Sequence, residues 1–154
     1  VGEAPGKSEN LRGLAFIGPS GRILDYGIKR ALELEGIKDI KYYITNVVQC
    51  RPTNAIGGPN REPTEEEALT CQQNLERIYL MVKPKEVIFL GAIAAKFCGK
   101  LWPGSIKLHH PAYILRKGGV ASAEFRIFVR ELSVIFRRIH DSSQDKRARI
   151  IYHR

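Results

Sequence analysis

Apolar residues recur at helical spacing in four stretches of the chain, and as short unbroken runs in three others. From Ser20 to about Glu35, the positions Ile23, Leu24, Ile28, Ala31 and Leu32 form one stripe. Ser20 is placed to cap this helix and Gly36 to stop it. Thr64 with Glu67 predicts a capping box, ahead of Ala68, Cys71, Leu75, Ile78, Tyr79 and Val82 at helical spacing; Pro84 ends that element. Ala92–Cys98 predicts a short small-residue helix. Ser122 opens a longer one with Phe125, Phe128, Leu132, Ile135 and Ile139 on one face, and arginines mostly on the others. The unbroken runs are Lys41–Val48, Glu86–Leu90 and Ser105–His109, rich in β-branched and aromatic residues, and they predict strands. An Ile150-Ile151-Tyr152 run in the polar tail predicts at most an added edge strand.

Strands alternating with helices imply an α/β fold: a parallel sheet covered on both faces. In such sheets, ligands bind at the carboxyl ends of the strands. Three Gly- and Pro-rich polar loops fall there: Gly2–Gly21, Asn46–Pro63 and His109–Gly119. The chain is expected to start inside a longer one, because Val1 leads directly into a glycine–proline loop of the kind that follows a strand.

Composition narrows the function classes. With 154 residues, 44% of them hydrophobic, the chain suits one domain with a real core. No apolar run reaches the ~18–20 residues of a membrane span, and no secretory leader is visible. Three cysteines, Cys50, Cys71 and Cys98, make no disulfide framework and suit a reducing, cytoplasmic compartment. The net charge of +9 favours a polyanionic partner such as nucleic acid. Residues 116–154 carry ten Lys/Arg against four Asp/Glu, and residues 141–154 are expected to be a basic tail beyond a domain of residues 1–140.

Several chemistries fail on spacing. Gly2-Glu3-Ala4-Pro5-Gly6-Lys7-Ser8 has three residues between its glycines where a phosphate loop needs four. Cys50 and Cys71 have no close Cys or His pair to complete a zinc site, so spacing alone favours buried thiols. His109 and His110 are adjacent on an extended segment, so at most one should enter a site.

Four blocks, in order, carry a resemblance. The first is residues 2–6 with Glu9-Asn10 and Gly13-Leu14-Ala15-Phe16-Ile17-Gly18-Pro19-Ser20-Gly21. The second is Tyr43-Ile44-Thr45-Asn46-Val47-Val48-Gln49-Cys50-Arg51-Pro52, the third Val87–Ala95, and the fourth His110-Pro111-Ala112-Tyr113-Ile114-Leu115-Arg116. Together they resemble the uracil-DNA glycosylase superfamily over residues 1–135, closest to its iron–sulfur branch, family 4. The resemblance implies a three-layer α/β/α fold around a mostly parallel four-stranded sheet, its first strand truncated here. It implies a monofunctional DNA repair hydrolase, expected as a monomer, that acts on uracil-containing DNA and leaves an abasic site.

The implied roles fall on named residues. Phe16 would stack on the flipped base and the Asn46 amide would select uracil, with Ala4 in the loop lining the pocket. His110 would donate to a uracil carbonyl as the base leaves. Glu3 or Glu9 would orient water or stabilise the cationic sugar. Ile114 or Leu115 would be the wedge filling the vacated stack, with Arg116 on a phosphate. Cys50 and Cys71 match two of the four ligands of the family's four-iron cluster; the other two would lie upstream of Val1.

This sequence also departs from the family pattern. Five extra residues around Asn54–Pro59 lengthen the loop between Cys50 and Cys71, and the stretch from Gly91 to His110 is short. Asn10 stands where the family has Asp, and Ala15 where it has Pro. These departures keep a second expectation open: a glycosylase-fold domain without turnover, binding DNA or protein within a larger replication protein.

Overall fold

The computed structural model describes residues 1–144. The elements run α1 (Lys7–Arg12), α2 (Pro19–Glu35), α3 (Glu65–Val82), β1 (Ile88–Leu90), α4 (Ala92–Cys98), β2 (Ile106–Leu108), α5 (Pro111–Arg116) and α6 (Ala123–Gln144), with a 3-10 turn at Gly119–Ala121. Helix α6 passes through the expected domain boundary at residue 140, and the rest of the basic tail, with its Ile150–Tyr152 run, lies outside the described residues.

Strands β1 and β2 pair in parallel, with Ile88 opposite Ile106 and Leu90 opposite Leu108. Of the four strands expected, only these two are regular strands among the described residues. Parallel pairing nevertheless continues beyond β1. The Val1 amino group donates to the Ile88 carbonyl at 2.7 Å, and Leu90 N–H to the Val1 carbonyl at 2.8 Å. On the far side of this segment, Gly2 N–H donates to Thr45 and Val47 N–H to Gly2, an isolated parallel bridge between Gly2 and Asn46. The run 41–48 thus makes bridges where its β-branched residues predicted a full strand.

Two apolar clusters flank this layer. Along β1, Ile88 and Leu90 face one cluster and Phe89 the other, as the two-residue strand period requires. The first cluster joins Ile23, Leu24 and Ile28 of α2 to Phe125, Phe128, Leu132 and Ile135 of α6, with Ile114 of α5. The second joins Ala68 and Leu75 of α3 to Ala94 and Cys98 of α4, with Val47 and Val48. Helices therefore cover both faces of the layer, in the α/β/α order expected.

Most helix ends follow the sequence. Thr64 and Glu67 form the predicted capping box, and Gly36 ends α2 in the left-handed conformation. Ser122 Oγ accepts from Phe125 N–H at 3.0 Å where α6 begins. Ser20 does not cap α2; Gly18 does, with Pro19 in the first turn, where its missing N–H costs nothing. Two segments expected as loops carry short helices instead, α1 within residues 2–21 and α5 within residues 110–119. Each has only six residues, too few to show a helical period.

Candidate active site at the carboxyl end of the sheet

The first polar loop turns sharply at Phe16, whose φ of +55° is left-handed and strained for an aromatic residue. Glu9 holds that turn. Its Oε1 accepts from Ile17 N–H at 3.1 Å and Gly18 N–H at 2.8 Å, serving the donors that open α2. Of the two carboxylates expected to act on water, Glu9 is thus committed to the backbone that aims Phe16. Glu3 is partly buried, and burial, then the neighbouring Glu62, holds its carboxyl above the usual range.

Phe16 is buried, and its ring edge meets Gly2 and, through Gly2, Asn46. A methyl group added at Gly2 would lie 2.5 Å from Asn46 Oδ1 and 2.5 Å from Phe16 Cζ. Only glycine lets the two side chains close on this segment. Asn46 is 5% exposed, and its Oδ1 is buried with no hydrogen-bond partner among the described residues. A buried amide oxygen left unpaired costs about 1–3 kcal/mol. Asn46 lines a cleft of about 390 Å³ together with Pro5, Glu9, Asn10, Gly13–Ala15, Tyr43–Thr45, Gln49 and Ile78. A second, more apolar cavity beside Trp102 and Phe136 shares Tyr43, Thr45 and Ile78 with this cleft but not Asn46.

His110 sits 5.8 Å from Phe16, ring centroid to centroid, with the planes tilted 33°. It caps α5: Ala112 N–H donates to its Nδ1 at 3.0 Å. Nδ1 therefore carries a lone pair, which leaves the ring hydrogen on Nε2. Burial, then the charge of Arg116, pushes the His110 pKa down to about 4, so the ring is neutral at pH 7. Gly91, at the end of β1, packs against it: a Cβ there would come 3.1 Å from His110 Cβ, at a φ of +96° that side chains resist. His109 points away, exposed and against Tyr113 at 5.1 Å. One histidine of the pair enters the site, as the extended spacing required.

The remaining expected site residues divide. Ile114 is 0% exposed and belongs to the core, which removes it as a wedge. Leu115 is 40% exposed and Arg116 is exposed beside it. Ala4 packs against the α3/α4 cluster, and its loop is joined to the site by Val48 N–H donating to the Glu3 carbonyl at 3.3 Å. Sequence reasoning missed Gly2 and Gly91 as determinants of the site. The signal was present, since each glycine directly adjoins a segment later found to pair as sheet.

The thiols do not make a metal centre here. Cys50 is exposed, against the expectation of a buried thiol from spacing; Cys71 is half-buried. Cys98 is buried in the α3/α4 cluster, and burial pushes its thiol up to about 11, the wrong direction for a thiolate ligand. Among the described residues no three His, Cys, Asp or Glu side chains are grouped to hold a metal ion. A four-iron cluster needs four such ligands. The residues present do not fit one. No helix among the described residues is long and apolar enough to cross a membrane.

An aromatic, an unpaired amide and a neutral imidazole converge at the carboxyl end of a parallel sheet flanked by helices, and the amide lines a cleft. The family model of the uracil DNA glycosylase superfamily matches residues 1–133, and the chain belongs to that superfamily. Its relatives place it with the type-4 branch. It is 39% identical over 97 residues to the Type-4 uracil-DNA glycosylase of Sulfurisphaera tokodaii, covering 63% of this chain and 40% of the relative. With that of Archaeoglobus fulgidus it shares 39% over 102 residues, covering 66% and 47%. With that of Pyrobaculum aerophilum it shares 33% over 159 aligned positions, covering 88% and 74%. The chain thus spans less than half the length of the first two relatives.

Proposed function

We propose that the protein hydrolyses the N-glycosidic bond of uracil in DNA after flipping the base into the cleft. The observation that carries this reading is the convergence of Phe16, the unpaired Asn46 amide and the neutral His110 on one small region. A flipped base needs an aromatic or apolar face to stack on and polar groups matched to its Watson–Crick edge. Phe16 supplies the face. Asn46 supplies a donor and an acceptor, which fit the carbonyl and N–H of uracil; cytosine presents the opposite pattern at the corresponding edge.

In the reaction the bond between the sugar C1′ and uracil N1 breaks, and its electron pair leaves with the base. Charge develops on the uracil carbonyl oxygens, and His110 donates its Nε2 hydrogen bond there. A neutral donor stabilises the uracil anion without being consumed as an acid. Water held by Glu3 adds to C1′ and loses a proton, the uracil anion takes one up, and the products are free uracil and an abasic site. Leu115 fills the gap left in the stack, and Arg116 contacts a phosphate. The net charge of +9 favours this polyanionic substrate.

The histidine's protonation state gives a test. Since its pKa is about 4, His110 stays neutral from about pH 5.5 to 8. Single-turnover uracil release is therefore expected to have no limb assignable to His110 across that range. A charged-acid role would make the rate fall about tenfold per unit as pH rises above that pKa. The measurement is the pH profile of the parent beside His110→Gln: a falling limb that disappears in the variant would remove the neutral-donor role.

A further inference from the structure

The loop between Arg51 and Glu62 ends in the most exposed large apolar side chain of the described residues. Ile56 is 106% exposed at its tip, between Ala55 and Gly57. This tip does not hang loose from its root. Thr53 and Asn60 form an antiparallel bridge, Gly58 N–H donates to the Ala55 carbonyl at 3.0 Å, and Thr53 Oγ1 donates to the same carbonyl at 2.7 Å. Arg51 Nε donates to Asn60 Oδ1 at 2.6 Å, and the same guanidinium bonds the Gly58 carbonyl. Arg61 grips Asn54 at 2.9 Å and both oxygens of Glu67 at 2.7 and 2.8 Å. Both arginines are used to brace the loop, and its tip, residues 54–59, carries no charged side chain.

The root of the loop is tied to the cleft. Asn60 Nδ2 donates to the Pro5 carbonyl at 3.0 Å, and Arg51 N–H donates to Asn10 Oδ1 at 3.4 Å. Pro5 and Asn10 both line the cleft beside Asn46. Ile56 is three residues from the bridge at Thr53, so it projects at most about 10 Å from that root. Successive bases are spaced about 3.4 Å along a strand, so the reach of the tip from its root corresponds to about three base steps.

We infer that Ile56 is a second apolar wedge, which enters the base stack next to the uracil and holds the duplex open while the base occupies the cleft. An exposed isoleucine gains the folded chain nothing, whereas a braced apolar tip can displace a stacked neighbour and offset the cost of unstacking. The inference rests on the glycosylase reading for the identity of the flipped base. It adds a second point of entry, on an element separate from the α5 that carries Leu115.

The experiment places 2-aminopurine on either side of a single uracil in duplex DNA and reads its fluorescence on binding, with cleavage measured in parallel. The parent is expected to brighten the probe; Ile56→Ser is expected to lose most of that rise and to cleave duplex uracil about tenfold more slowly. Ile56→Leu should restore both signals. The loss should be smaller on single-stranded DNA, which has less stacking to disrupt. Thermal midpoints should match, because the side chain packs on nothing. Cleavage and brightening by Ile56→Ser equal to the parent's would overturn the wedge and leave the glycosylase reading standing. Brightening that depends on Ile56, without cleavage by the parent, would do the reverse. No brightening by the parent would overturn the wedge as well.

Discussion

Replacing His110 with alanine is expected to slow uracil release by about 10²–10³-fold, the usual loss when one donor to a developing anion is removed. Substrate binding should weaken far less, because the hydrogen bond to a neutral carbonyl in the ground state is worth only about 1 kcal/mol. The structure supports this split. The imidazole is fixed from both sides, by Ala112 N–H on Nδ1 and by Gly91 against its Cβ, so Nε2–H is oriented before the substrate arrives. A donor already in place has no reorganisation to make as charge builds up. Single-turnover rates at saturating enzyme separate this effect from binding. A loss below tenfold would assign the leaving-group stabilisation to another group.

The second large effect is at a residue with no side chain. Gly2→Ala should depress turnover by about a hundredfold, since a displacement near 1 Å in a positioned group costs that much. Its methyl group would lie 2.5 Å from both Asn46 Oδ1 and Phe16 Cζ, and normal contact demands that both retreat. Overpacking of this kind also costs about 1–3 kcal/mol of stability. The two effects can be told apart by measuring turnover well below the lowered thermal midpoint. If the folded Gly2→Ala protein kept parent activity, Phe16 and Asn46 would not be the groups that hold the base.

The sequence showed the larger architecture because long helices carry enough turns to display their period. The stripe of Ile23, Leu24 and Ile28, the capping box at Thr64 and Glu67, and the serine opening α6 all appear where their chemistry placed them. The six-residue helices α1 and α5 were not legible, being shorter than two turns. The run 41–48 read as a strand on propensity alone, yet most of its pairing is a bridge to Gly2. The pairing partner decides that outcome, not the run itself.

At the site, residue identity came from motif resemblance, while commitment came from geometry. Nothing in the sequence separated Glu3 from Glu9; the two backbone hydrogen bonds at Oε1 do, by tying Glu9 to the Phe16 turn. Nothing separated Ile114 from Leu115 either, because adjacent apolar residues on a short helix look alike until one is seen to be fully buried. The braced loop carrying Ile56 was visible only as extra length.

Whether this chain excises uracil with Asn46 selecting the base is tested most directly by release of uracil from a labelled oligonucleotide bearing one uracil. Abasic sites are revealed by alkali, with Asn46→Ala run beside the parent on single- and double-stranded DNA. Cleavage at the uracil by the parent is expected, with a rate reduced by at least about tenfold in the variant. Binding of the DNA by the parent with the uracil left intact would contradict it, and would leave a glycosylase fold used for binding alone.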